Sequence, residues 1–300
     1  MPLQTGITKL TESGDTILEW LNQAPDAIER GGLKKILENN GCVLVESRNT
    51  DLTDEESKQY GAWNRLGLAS RHLADIVNDQ LRRGLFTIGL LPTCNGLMGM
   101  LGGFQRSGSD AKLLRVGVIW FDAHGDINTP ETTPSGLLAG MPVAIATGLC
   151  LERLRVSCGQ KDAIPTEHII MAGVRDLDPL ERETLDNYNI EQITSDEIRG
   201  LNPIISQQLN RLGEIADIIY VHVDIDVLDP TEIPGLGLPV KGGPTVGQLG
   251  SVLRMICQNP KVGGLGVASY PVGGDPGGIA LNAVYDLIRN SVVGASARGT

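Results

Sequence analysis

No stretch of the 300-residue sequence approaches the ~18 uninterrupted apolar residues of a membrane-spanning helix, so no membrane span is expected. The segment Met1–Trp20 lacks the apolar run of a secretory signal, because polar and apolar residues alternate through it. Cysteine is sparse. The five residues Cys42, Cys94, Cys150, Cys158 and Cys257 are odd in number and widely spaced, with no CxxC pair. That pattern argues against a disulfide framework and for a reduced, cytoplasmic protein. Positive charge is also short: 25 Lys and Arg stand against 36 Asp and Glu, giving a formal net charge of −11. A duplex or an anionic membrane repels such a surface, so neither nucleic acid nor membrane is expected as a partner. No Pro/Gly/Ser-rich linker and no internal repeat divides the chain, and residues 1–300 read as a single domain.

What is present suits a large core, with 41% hydrophobic and 20% charged residues. Candidate strands are Cys42–Val45, Leu85–Leu91, Arg115–Phe121, His168–Val174, Asn189–Ile193, Asp217–Ile225 and Val262–Ser269. Several are continuous apolar runs such as VGVIWF and DIIYVHVDI, as strands covered on both faces require. Helical-period segments separate them at Asp26–Asn39, Glu55–Arg83, Gly96–Gln105, Leu137–Thr147, Pro179–Asn187, Pro203–Glu214, Thr245–Gln258 and Pro276–Arg289. The alternation predicts an α/β fold with a mainly parallel sheet. The glycine-rich stretches Gly235–Gly243 and Gly273–Gly278 follow strands, where ligand sites of open sheets form.

Two of these strands end in acidic clusters. VGVIWFDAHGDINTP places Asp122, His124 and Asp126 two residues apart, and YVHVDIDVLDP does the same for Asp224 and Asp226. Side chains two apart on an extended backbone share a side, so each cluster can converge on a point. Four carboxylates gathered at one sheet edge repel each other unless cations neutralise them. The oxygen-rich set with an imidazole suits Mn²⁺ better than Zn²⁺ or Fe²⁺. It also exceeds what one ion needs, which favours two ions sharing carboxylates. The bland alternative is that these are solvated loop residues; two such clusters, each at the end of an apolar strand, weigh against it.

With both segments in view the chain resembles the arginase/agmatinase (ureohydrolase) family, whose two main metal motifs match FDAHGDINTPETTPSG and HVDIDVLDP. The similarity runs from about Leu85 to the C-terminal helix. It implies a three-layer α/β/α fold with a central eight-stranded parallel sheet. It also implies a centre of two Mn²⁺ ions, or other divalent ions, that cleaves a guanidino C–N bond of arginine, N-hydroxyarginine or an arginine-like compound to release urea or hydroxyurea. By resemblance, Asp122 and Asp224 bridge the metals, Asp126 completes one set, and His124 with Asp226 completes the other. Asp126, Asp226 and His124 are thus also the catalytic candidates. Asn128 and Ser135 match positions that hold an α-carboxylate, and Asp178 in GVRDLDP the position that meets an α-amino group. Relatives are commonly trimers or hexamers, which implies a homo-oligomer.

The pattern breaks in three places. In Leu91-Pro92-Thr93-Cys94-Asn95-Gly96, Cys94 stands where the family keeps a metal-binding histidine; a one-residue shift would place Asn95 there instead. A thiolate can ligate a divalent ion, and the hydroxyarginine amidinohydrolase of the D-cycloserine pathway is similar in this turn. Ala139 occupies the position of a proton-shuttling histidine, and alanine cannot carry a proton. The loop GVASYPVGGD after the last strand holds no glutamate to grip a guanidinium, with Asp275 and Tyr270 as the available substitutes. The breaks keep two alternatives open: a non-catalytic metal-binding relative, and a formimino or amidine hydrolase on the same centre. His222, two before Asp224, is expected to hold a ligating carboxylate or to be a satisfied core residue.

Overall fold

The computed structural model describes residues 1–108 and 112–298. Its strands are β1 (Leu3–Lys9), β2 (Cys42–Asn49), β3 (Phe86–Leu91), β4 (Val116–Phe121), β5 (Ile169–Ala172), β6 (Glu191–Ile193), β7 (Ile218–Asp224) and β8 (Val262–Ala268). They form one sheet in the order β2-β1-β3-β8-β7-β4-β5-β6, every pairing parallel. The continuous apolar runs have the predicted cause. Along β4, Val116, Val118 and Trp120 enter one core while Ile119 and Phe121 enter the other. Helices Ala62–Arg82 and Leu97–Arg106 cover the first face, and Val246–Cys257 and Ile279–Ser296 the second. The result is the expected three-layer α/β/α arrangement. No helix among the described residues is long and apolar enough to cross a membrane.

Sequence patterning finds seven of the strands and misses β1. LQTGITK reads as polar, yet its last five residues are buried. Thr5 Oγ1 donates to the Val43 carbonyl, and the Lys9 ammonium is paired with Asp26 and Glu29, so tertiary partners pay for the burial. The helix expected over Glu55–Arg83 divides into Asp54–Ser57 and Ala62–Arg82 at Gly61, whose φ of 96° lies outside the helical range. The helix expected over Leu137–Thr147 becomes a 3₁₀ turn, Leu138–Gly140, and a short helix that Pro142 starts.

Because all eight strands run the same way, their carboxyl ends share one edge of the sheet. The five neighbouring strands β3, β8, β7, β4 and β5 deliver their following loops to the middle of that edge, where open parallel sheets bind ligands.

Candidate metal centre and active site

Asp122 is the first residue after β4, and Asp224 the last of β7. Backbone amides aim both. Asp122 Oδ1 accepts from the His124 N–H at 2.7 Å, and Asp224 Oδ1 from the Asp226 N–H at 2.9 Å. Asp226 Oδ1 in turn accepts from the Ala123 N–H at 3.2 Å, tying the two loops together. The convergence is real, but its cause differs from the expected alternation along an extended strand. β4 has already ended at Phe121, Asp126 sits in the left-handed region with φ 48°, and Asp226 lies in the 3₁₀ turn Ile225–Val227. A non-glycine residue held at positive φ costs energy, and such strain gathers at functional sites.

Cys94 opens a 3₁₀ turn after β3 and is buried. Its Sγ lies 2.9 Å from Asp224 Oδ2, 3.7 Å from Asp122 Oδ2 and 3.2 Å from His222 Nε2. Asn95 faces the other way and donates to the Ser13 carbonyl at 2.7 Å. Of the two candidate residues, Cys94 and not Asn95 faces the carboxylates. Of the two expectations for His222, the structure matches the buried, partnered histidine: among the described residues its ring nitrogens meet the Tyr220 hydroxyl and this sulfur, and no ligating carboxylate.

The donors fall into two groups, each with its ligand atoms within 4.8 Å of one another: Cys94, Asp122 and Asp126, and Asp122, His124 and Asp226. Asp122 belongs to both. Asp224 belongs to neither group; its Oδ2 receives the Cys94 thiol and the Ser269 hydroxyl.

The electrostatics are those of an anion cluster short of positive charge. Burial, then repulsion from Asp226 and Asp126, pushes Asp122 well above the carboxylate range. Burial does the same to Asp126, with Asp224 and Asp226 adding to it. Asp224 is pushed up to about 7 by burial and by Asp226. The Cys94 thiol is raised by burial and by the charges of Asp224, Asp122 and Asp126. Burial works against protonated His124, but hydrogen bonds to Asp122 and Asp226 carry it up to about 12. The nearby guanidinium of Arg175 donates to the carbonyls of Gly173, Asp226, Val227, Leu228, Val240 and Lys241, so it braces the loops instead of pairing with the carboxylates. Carboxylates, one imidazole and one thiol with mutually raised pKa values are a donor set that divalent cations fit.

Above the cluster is a cavity of about 420 Å³. Its lining includes the polar residues Asn128, Ser135, Asp178 and Glu181 and the apolar residues Leu18, Trp20, Leu21, Leu236 and Leu238. Asn128 Nδ2 donates to Asp178 Oδ2 at 2.9 Å, while exposed Ser135 sits at the rim. Ala139 also lines the cavity, its N–H and that of Leu138 held by the buried Asp15 carboxylate at 2.9 and 3.0 Å.

Two residues here escaped sequence reasoning. Glu181 accepts from the N–H groups of Ile127 and Asp178, both at 3.0 Å, and so fixes the loop after β4; its signal was the capping-box spacing of DPLE. Ser269 holds Asp224 from a backbone with φ 65°, and nothing local marks it. Asp275 does not reach the cavity. It accepts from the N–H groups of Ala280 and Leu281 at 2.9 Å and from the Tyr270 hydroxyl at 3.2 Å, at a helix start. Tyr270 is buried in the core. Neither therefore replaces the missing glutamate.

Residues 99–292 match the model of the arginase family. The arginase of Brevibacillus brevis is 31% identical over 229 residues, covering 74% of this chain and 75% of that protein. The arginase of Bacillus caldovelox is 34% identical over 192 residues, 63% of this chain, and the match spans only 62% of its length. The crystal structure of Bacillus subtilis arginase superposes with a TM-score of 0.84 at 25% identity, over 97% of this chain and 98% of that one.

Proposed function

Because the chain belongs to the arginase family, we propose that it is a metal-dependent hydrolase that cleaves a guanidino C–N bond at a centre of two Mn²⁺ ions. The observation that carries this reading is the pair of ligand groups sharing Asp122 at the ends of β3, β4 and β7. Asp126 and Cys94 would hold one ion and His124 and Asp226 the other, with Asp122 common to both sets; Asp224, which receives the Cys94 thiol, would be a further ligand. Bound cations of this kind supply a nucleophile at neutral pH by acidifying water. The protein's own part is positional. The amides of His124, Asp226 and Ala123 orient the carboxylates, Ser269 braces Asp224, Glu181 fixes the loop after β4, and the cavity lining would hold the substrate. Asn128, Ser135 and Asp178 would receive the α-amino-acid end of that substrate.

Two bare positions narrow the guanidino group itself. Ala139 supplies no acid to the leaving nitrogen, a loss that typically costs ~10²–10⁴ in rate. The loop after β8 contributes Ser269 and Pro271 to the cavity and no carboxylate to pair a guanidinium. An N-hydroxylated guanidine, less basic than arginine, needs both groups less. The favoured substrate is therefore N-hydroxyarginine or a similarly weak base, giving hydroxyurea and ornithine. A formimino group hydrolysed on the same centre is the second reading, supported by the same bare wall. Metal analysis of the purified protein, followed by a panel of guanidino and formimino compounds assayed for urea, hydroxyurea, ornithine and formamide, tests both. Protein that binds no divalent ion and ignores added Mn²⁺ would overturn the proposal.

A further inference from the structure

Behind the centre lies a chain of buried groups that the proposed hydrolysis does not use. Tyr220, His222 and Asp224 alternate along β7, so their side chains leave the same side of the strand. The His222 ring is fully buried and lies flat on the Trp120 indole, 4.0 Å between centroids and 6° between planes. Its Nδ1 is 3.0 Å from the Tyr220 hydroxyl, and its Nε2 is 3.2 Å from Cys94 Sγ. A Cβ at Gly266 on the neighbouring strand would collide with the Tyr220 oxygen, so the glycine is what admits the phenol to this place.

These contacts fix the direction of donation. Neutral imidazole donates from one nitrogen and accepts at the other. Among the described residues the Tyr220 hydroxyl has Nδ1 as its hydrogen-bond partner, so the O–H donates to it and the ring hydrogen resides on Nε2, aimed at the sulfur. The thiol of Cys94 donates its own proton to Asp224 Oδ2. When that proton leaves, the Nε2–H is still in place as a donor to the thiolate.

We propose that His222 is a positioning residue for Cys94: held as the Nε2–H tautomer by Tyr220 and flat by Trp120, it hydrogen-bonds the sulfur and presents it as a cation ligand between Asp122 and Asp224. The inference rests on Cys94 being a ligand. A thiolate so close to two carboxylates is stabilised by a donor on its far side, which disperses charge and fixes the side chain's direction. It also gives a reason for a histidine within an apolar layer, where an unpartnered imidazole would be costly.

The test uses the full-length protein loaded with Co²⁺, whose bond to a thiolate gives a sulfur-to-metal charge-transfer band in the near ultraviolet. The unmodified protein should show the band. Removing a hydrogen bond from the thiolate raises its donor level, so His222→Leu should move the band to longer wavelength and weaken Co²⁺ binding about 10–100-fold. His222→Gln, which keeps an N–H near the same reach, should hold the band in place. Tyr220→Phe preserves the packing and the imidazole but frees the tautomer, and should give a smaller shift of the same sign; it decides the matter should His222→Leu fail to fold. A purely structural His222 would lower the melting temperature and leave the band unmoved, which overturns the inference alone. Absence of the band in the unmodified protein overturns the ligand reading of Cys94 and the inference with it.

Discussion

Stripped of metal, the protein is predicted to become less stable as pH rises from about 5 to about 7, the reverse of ordinary acid sensitivity. Asp224 shows why. Burial and the neighbouring Asp226 raise it from the usual 3.8 to about 7. The folded state therefore keeps a proton that the unfolded chain has already released. A carboxylate with a raised folded pKa contributes fully below its unfolded value and loses that contribution as pH climbs toward the folded one. Each pH unit in that window costs about 1.4 kcal/mol per group, so two units amount to about 3 kcal/mol for Asp224. Asp122 and Asp126, raised by burial and then by like charges, add the same sign. His124, carried up to about 12 by Asp122 and Asp226 against the effect of burial, adds to it as pH passes the ordinary histidine value. Asp217, lowered to about 2 by Arg115, and Asp229, lowered to about 2 by Thr231, act in the opposite sense. Their contribution is complete once the unfolded chain's aspartates have ionised, below the window. At a few degrees per kcal/mol, the melting temperature of chelator-treated protein should fall by about 5–10 °C from pH 5 to pH 7. Saturating Mn²⁺ should abolish or invert that slope, because cations replace the protons. Scanning calorimetry at three pH values with and without metal makes the measurement. A metal-free melting temperature that stays level or climbs across the window would refute the reasoning.

Other expectations follow from the same geometry. Asp126→Asn should abolish Mn²⁺ binding and turnover while raising the metal-free melting temperature at pH 7, since it removes a buried carboxyl group whose ionisation burial and like charges oppose; metal analysis and a melt read the two effects. Cys94→Ser should weaken the metal site about 10-fold or more, read by Mn²⁺ titration. Cys94→His alone should overfill a sulfur-sized space bounded by Asp224, His222 and Asp122, costing about 1–3 kcal/mol, and adding His222→Ala should restore the melting temperature. Arg175→Met leaves several buried carbonyls without a donor, at about 1–3 kcal/mol each; a lower denaturation midpoint together with weaker Mn²⁺ binding through Asp226 would bear this out. Ala139→His should raise kcat/KM for arginine relative to N-hydroxyarginine by about 10-fold or more, measured in paired assays.

The sheet was legible wherever burial on both faces forced an unbroken apolar run. VGVIWF announces β4 because Trp120 and Phe121 must each enter a different core. β1 did not announce itself, since Thr5 and Lys9 are buried through partners far along the chain: the Val43 carbonyl is 38 residues away and Asp26 is 17. Composition reports the transfer cost of a side chain, not the contact that offsets it. The helix ends were obscured for a different reason. A periodic pattern continues across Gly61, while the backbone there leaves the helical region.

The site divides along the same line. Asp122, His124, Asp126, Asp224 and Asp226 could be found because each cluster is contiguous, even though turns rather than an extended strand bring its members together. The residues that tune them are remote: Glu181 reaches Ile127 across 54 residues, Ser269 reaches Asp224 across 45, and His222 reaches Cys94 across 128. That last distance bears on how a departure from a family motif should be weighed. Taken alone, Cys94 is a missing histidine and His222 an unexplained one. Brought within 3.2 Å they form a sulfur with its own hydrogen-bond donor, so the proposed exchange of ligand type would be matched by a group able to support a thiolate. Ala139 has no such counterpart, because the contacts of its wall run from backbone N–H groups to Asp15. The first departure is therefore one the fold accommodates, and the second is one the substrate's chemistry has to meet.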